Sequence, residues 1–174
     1  RKAIDINPNL FKSHFLLSTI LSGGKKLKEA ELSLRQTIKL KPNYYPAHLN
    51  LGTVLRNLGK LEEAEIFSRK AIEIKPDLAE AHSNLGDLLR ELGKLKEAEI
   101  SSRKAIEINP TYANAHYILG NILYKLGKLK EVELHQRRAT ELQPDFADAH
   151  YNLGNVLRKL GKLKEAESYQ RKAT

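Results

Sequence analysis

The sequence predicts an all-α solenoid of stacked antiparallel helix pairs, and three observations carry that expectation. Landmarks recur in steps of 34: Pro8, Pro42, Pro76, Pro110 and Pro144; His14, His48, His82, His116 and His150; Gly52, Gly86, Gly120 and Gly154; Gly59, Gly93, Gly127 and Gly161. A period of roughly 20 to 50 residues marks a repeat architecture in which each unit buries its apolar face against its neighbours. Within the unit at 79 to 112, Ala81, Leu85, Leu88 and Leu92 recur at helical spacing beside His82, Gly86 and Leu89, which gives a first helix with a wide buried face. After Gly93, the residues Leu95, Ala98, Ala105, Ile106 and Ile108 carry a second apolar face, which Pro110 ends because proline cannot continue a helix.

Taken in order, residues 1 to 10 align with 69 to 78 and read as the end of a preceding repeat. Repeats follow at 11 to 44, 45 to 78, 79 to 112 and 113 to 146, with a truncated one at 147 to 174, the whole forming one array. Neither end shows the polar outer face of a terminal capping unit, so the chain reads as an excerpt or an open-ended stack. Each first helix is expected to begin with a capping box, Asp77 with Glu80 in the central unit and Asn9, Asn43, Thr111 and Asp145 in the same place elsewhere. Gly93 and its counterparts supply the left-handed residue that stops it. Gly86 costs about 1 kcal/mol against alanine inside a helix, so a close approach of the second helix at Ala98 is expected. The first repeat departs, with Ser18 for the glycine and Gly23-Gly24 ahead of Lys25, which predicts an irregular or mobile turn.

Composition sets further bounds. The formal charge of +9 and 41% hydrophobic residues allow a packed core and favour acidic partners. The absence of cysteine removes disulfides and thiolate metal sites and permits a reducing compartment, with the cytoplasm as default. No run of 18 apolar residues and no apolar signal core occurs, so the expectation is a soluble chain without a membrane segment.

The order His82, Leu85, Gly86, Leu89, Ala98, Ala105, Pro110 resembles the tetratricopeptide repeat (TPR), which places Trp, Leu, Gly, Tyr, Ala, an aromatic, Ala and Pro at these spacings. The resemblance covers the whole chain. Histidine takes the place of the opening aromatic, and Ser68, Ser102, Gln136 and Gln170 stand where the second helix should carry one. The resemblance implies a right-handed superhelix whose first helices line a concave groove. On that face, Asn50, Asn84 and Asn152 resemble the asparagine ladder in the helical arm of O-linked N-acetylglucosamine transferase, with Leu16 and Ile118 interrupting it. An amide both donates and accepts hydrogen bonds, which suits capture of an extended peptide backbone. Asn121, Asn155, Tyr117, Tyr124, Tyr151, Arg56, Arg90 and Arg158 complete the candidate binding groove, with Leu49 and Ser83 also placed there. The clamp that other members use for chaperone tails needs a lysine four residues before an asparagine, and no repeat supplies that pair.

Five of the six histidines form one column. Ligands of one metal must converge to about 2 Å from it, whereas stacked helices stand roughly 10 Å apart. The histidines therefore read as half-buried packing residues, whose pKa burial would lower from about 6.5. No P-loop, GxGxxG or HExxH occurs, so catalysis, a metal and a cofactor are not expected. Glu31, Glu65, Glu99, Glu133 and Glu167 each precede an arginine by four residues, the favourable order for helix ion pairs. Lysines of the KLKE segments could follow a phosphate backbone, but the stacking aromatics of a nucleic-acid binder are missing. Leu32, Ile66, Ile100 and Leu134 lie two residues past an inward position, a turn of about 200°. They are expected to form an outward stripe suited to self-association, unless the helix packs in a rotated phase that buries them.

Three functional readings follow. The first is a non-catalytic scaffold that binds an extended, preferably acidic, segment of another protein in its groove. The alternatives are a self-associating structural array, or the substrate-recruiting arm of a larger glycosyl- or sulfo-transferase.

Overall fold

The computed structural model describes residues 10–172. The expected half-repeat at 1 to 9, with its cap Asn9, and residues 173 to 174 lie outside that range. The described residues form ten helices and no strand, and they fall into two compact units, one up to Asp77 and one from Leu78. The first unit holds α1 (Phe11–Gly23), α2 (Leu27–Leu40), α3 (Tyr45–Asn57) and α4 (Leu61–Ile74), each packed on the next. The second holds α5 (Ala79–Glu91), α6 (Leu95–Ile108), α7 (Ala113–Lys125), α8 (Leu129–Leu142), α9 (Ala147–Lys159) and α10 (Leu163–Arg171); here too each helix packs on the next, and α5 also meets α7. The fold class is the expected all-α helical repeat.

Packing follows the 34-residue pattern. Leu51 and Leu55 are sealed from solvent in the first unit. In the second, Leu119, Leu123, Val132, Leu153, Val156, Leu157 and Ala166 form one core cluster. Burying one such leucine stabilises the fold by roughly 1.5–3 kcal/mol relative to leaving it exposed.

The in-helix glycines mark the tightest contacts. A Cβ on Gly86 would lie 3.2 Å from the Ala98 carbonyl oxygen, as expected, but only 2.1 Å from Ser102 Oγ. At Gly120 it would meet Gln136 Nε2 at 2.5 Å, and at Gly154 it would meet Gln170 Cγ at 2.8 Å. The place where an aromatic was expected thus carries the side chain that lies directly on the glycine. The ring has moved one residue earlier, where Phe67, His135 and Tyr169 face His48, His116 and His150 with centroids 5.9, 5.3 and 5.7 Å apart.

Two local expectations are corrected. Among the described residues the capping boxes do not form: the N-cap of α5 is Leu78, without a side-chain cap, and Asp77 falls one residue too early. The proline turn explains the shift, because it closes on itself through Tyr44 N–H to Lys41 O (3.2 Å), Tyr112 N–H to Asn109 O (3.2 Å) and Phe146 N–H to Gln143 O (3.1 Å). In the turn before α7, Thr111 Oγ1 donates to Asn109 Oδ1 at 2.9 Å instead of capping the helix. The turn after α1, expected to be irregular, keeps the geometry of the others. Lys26 N–H reaches Leu21 O at 2.8 Å just as Lys60 N–H reaches Leu55 O at 2.9 Å. The left-handed place, held by Gly59 (φ 77°) and Gly93 (φ 75°), is taken by Lys25 at φ 57°, and Gly23 and Gly24 sit before it.

Candidate functional site

In the second unit, helices α5, α7, α8 and α9 enclose a cleft of about 410 Å³. Arg90, Tyr117, Asn121, Tyr124, Asn152 and Asn155, all anticipated from the sequence, line it. Lys125, Val132 and Gln136 complete the lining. The helical period places Tyr117, Asn121 and Tyr124 on one face of α7 at steps of four and three residues. Tyr117 packs its ring on Phe146 at 4.8 Å, and Lys159 Nζ lies 4.6 Å from the centre of the Tyr124 ring. Arg90 is held by Asp87 at 2.7 Å, with Glu91 at 3.7 Å.

An amide cluster forms the polar part of the cleft. Gln136 is fully buried, and its Nε2 donates to the Tyr117 carbonyl at 3.3 Å and to Asn121 Oδ1 at 3.1 Å. Asn152 Nδ2 donates to the same Asn121 Oδ1 at 2.8 Å. Gln136 Oε1 takes no hydrogen bond from the described protein groups.

In the repeat pattern Gln136 stands only as the place of an absent aromatic. A signal for its role was present all the same. Glutamine occurs at Gln136 and Gln170, in the repeats with Asn121 and Asn155 on the first helix; where serine occurs, at Ser68 and Ser102, the matching residues are Thr53 and Asp87.

The remaining candidates lie elsewhere. Asn84 is half-buried on α5 and does not line the cleft. Tyr151 is 57% exposed, and Arg158 donates to Gln170 Oε1 at 2.7 Å. Asn50 and Arg56 belong to α3 in the first unit and are half-buried. Leu49 and Ser83, placed on the groove face from sequence, are buried because their helices turn them inward. Leu32, Ile66, Ile100 and Leu134 are 69%, 65%, 70% and 63% exposed, so the rotated phase that would have buried them is not adopted.

The histidine column has a structural task. Nε2 of His48, His116 and His150 contacts the carbonyl oxygens of Pro42, Pro110 and Pro144 at 2.7, 3.1 and 2.8 Å. A carbonyl can only accept, so each Nε2 is the protonated nitrogen. At His116 this leaves Nδ1 as an acceptor for His135 Nδ1, 3.1 Å away. Burial pushes His135 down to about 4, with His116 and Arg103 adding and Glu131 opposing. His116 is also lowered, by burial first and Arg138 second, against the Pro110 contact. Among the described residues, no group of three or more His, Cys, Asp or Glu is placed to hold a metal ion.

The charges pair between repeats as well as within them. Glu31 binds Arg35 and Lys60 at 2.8 Å each, and Arg35 also reaches Glu63. The pattern recurs with Glu99, Arg103, Lys128 and Glu131, and with Glu133, Arg137, Lys162 and Glu165. The hydrogen bond from Lys60 holds Glu31 below its usual range, aided by Arg35 against burial. At Glu99 and Glu133 burial raises the pKa, but the paired lysine and arginine outweigh it and the net shift is downward. Lysines counted as a phosphate-tracking stripe, Lys60, Lys128 and Lys162, are therefore engaged in these pairs. No described helix is long and apolar enough to cross a membrane.

Stacked helix pairs with varied polar side chains on a repeated frame define a protein-interaction scaffold. Family models agree: a TPR repeat model matches residues 86–127, and two tetratricopeptide repeat models match 67–100 and 136–168, and 45–78 and 113–146. Together the matches run from residue 45 to residue 168, and the chain belongs to the tetratricopeptide repeat family. The structure is similar to that of YrrB, described as "a TPR protein with an unusual peptide-binding site", at 25% identity and a TM-score of 0.75, over 99% of this chain and 89% of that one. It is also similar to PilW, a "widely conserved type IV pilus biogenesis factor", at 26% identity and a TM-score of 0.86, over 94% and 76% of the two chains. MamA from Desulfovibrio magneticus RS-1 shares the fold at 21% identity and a TM-score of 0.82, over 94% and 92%. No curated protein matches the chain significantly.

Proposed function

We propose that the protein is a non-catalytic scaffold that holds an extended peptide segment of another protein in the cleft between α5, α7, α8 and α9. The observation that carries this reading is the convergence of Asn121, Asn152 and Asn155 with Tyr117 and Tyr124 in one 410 Å³ cleft. Amides engage a peptide backbone whatever its sequence, and tyrosines add contact area at low entropic cost. The peptide-binding site of YrrB, at 25% identity, supports the same use of the fold. Contact is assigned to Arg90, Tyr117, Asn121, Tyr124, Asn152 and Asn155; Asn84, Tyr151 and Arg158 of the same unit, and Asn50 and Arg56 of the first, are candidates outside the cleft.

The test is direct. Peptides are selected from a random library displayed on phage against the whole protein, and their affinity is measured by isothermal titration calorimetry. Asn121→Ala with Asn152→Ala is expected to weaken them roughly tenfold or more while the helical fold, read by circular dichroism, is retained. Unaltered affinity would remove the cleft from the account.

A further inference from the structure

Asparagine can present either face of its amide to a ligand, yet here the protein settles which. The Tyr117 carbonyl can only accept, so it fixes the orientation of the Gln136 amide: Nε2 must point at it, at 3.3 Å. The second hydrogen on that nitrogen then requires an acceptor, which is Asn121 Oδ1 at 3.1 Å. Asn152 Nδ2 donates to the same oxygen at 2.8 Å. A carbonyl oxygen has two lone pairs, and both are now occupied. Asn121 is left with its two N–H groups as its only free hydrogen-bonding capacity, on a residue that lines the cleft.

We propose that Gln136 is a positioning residue that makes Asn121 a one-way donor, so that the cleft selects a peptide bearing an acidic side chain at this point. This rests on the peptide-cleft reading above. Two features favour a carboxylate over a neutral acceptor. Lys125 lines the same cleft as Asn121, and Lys159 lies over the ring of Tyr124 in its wall, so the surroundings carry positive charge that favours an anion. A carboxylate also offers about four lone-pair sites, and an N–H···O⁻ bond is roughly twice as strong as one to a neutral acceptor. The residues equivalent to Gln136 in the second and third repeats are Ser68 and Ser102, too short to reach across as an amide donor; in the fifth repeat Gln170 Oε1 accepts from Arg158 at 2.7 Å. The residue equivalent to Asn121 in the third repeat is Asp87, which is occupied by Arg90. The Gln136–Asn121 pair thus sets the fourth repeat apart from the second and third.

A double-mutant cycle tests the proposal. Peptides selected from the phage-displayed library are remade with each Glu or Asp changed to Gln or Asn, and bound to wild type, Gln136→Met and Gln136→Ser. Gln136→Met keeps the volume, and Gln136→Ser installs the residue that neighbouring repeats tolerate, so at least one folded variant is expected by circular dichroism. The expected result is an acidic residue common to the selected peptides, a roughly tenfold loss when it is made neutral on wild type, and little or no loss on either Gln136 variant. Asn121→Asp, which keeps the shape and removes the donors, should abolish the acidic preference. If the effects of the peptide change and the Gln136 change simply multiply, or the selected peptides carry no acidic residue, the proposal is overturned while the cleft stands, provided Asn152→Ala still weakens binding. If selection yields no peptide sensitive to Asn121 or Asn152, the cleft reading falls with it.

Discussion

Single residues explain why the first repeat and the histidine column look unusual in the sequence. Lys25 occupies a left-handed backbone position that glycine fills in the four later turns. A side chain there costs about 1 kcal/mol or more, so Lys25→Gly is expected to raise stability by roughly 0.5–1 kcal/mol, read from urea unfolding. A loss of stability would mean that the lysine side chain contributes more than the strain it imposes. His48, His116 and His150 hold the proline turns through their Nε2–H groups, and the His116–His135 pair couples α7 to α8. Because both are lowered, with His135 at about 4, the folded state binds fewer protons than the unfolded one. Their contribution is complete above the unfolded value of about 6.5 and is lost as pH falls through the folded pKa. Glu31, Glu99 and Glu133 are lowered too, and their contribution is lost only below the ordinary carboxylate range. Melts at pH 7.5 and 5 therefore isolate the histidines. Wild type should lose melting temperature over this interval, and His135→Phe, which keeps a ring against His116, should lose less; equal losses would place the sensitivity elsewhere.

At the level of elements, the helix–helix contacts turn on the glycines inside α3, α5, α7 and α9. Gly→Ala in an exposed helix gains about 1 kcal/mol. At Gly86 the new methyl group meets Ser102 Oγ at 2.1 Å and the Ala98 carbonyl at 3.2 Å, so Gly86→Ala is expected to destabilise by about 1–3 kcal/mol through overpacking. The sign alone decides, and a stabilised variant would contradict the packing described. Replacing Ile66, Ile100 and Leu134, all more than 60% exposed, with lysine should leave a folded protein, with each change within about 0.5 kcal/mol; loss of folding would show that these residues are buried in solution. Helix periodicity, repeat register and left-handed glycines were legible because they depend on spacing alone. The helix starts were not, since Asp77, Thr111 and Asp145 match a cap chemically while the proline turn sets the first helical residue further on. The amide cluster was not legible either. Gln136, Asn121 and Asn152 are separated by 15 and 31 residues, and only the stacking of α7, α8 and α9 brings them together.

For the molecule as a whole, a uniform frame carries a varied surface. Repeated ion pairs such as Glu99 with Arg103 and Lys128 join successive repeats. What differs from repeat to repeat is the polar face of the first helices, and in the second unit it concentrates in the cleft of Tyr117, Asn121, Tyr124 and Asn152. That placement is the central claim, and mapping the bound peptide tests it most directly. In ¹H–¹⁵N spectra of the whole protein titrated with a phage-selected peptide, the largest shifts should fall on the backbone of α7 from Tyr117 to Lys125 and on the side-chain amides of Asn121, Gln136, Asn152 and Asn155. Shifts concentrated on the outer faces of α6 and α8, around Ile100 and Leu134, with the cleft amides unmoved, would contradict it.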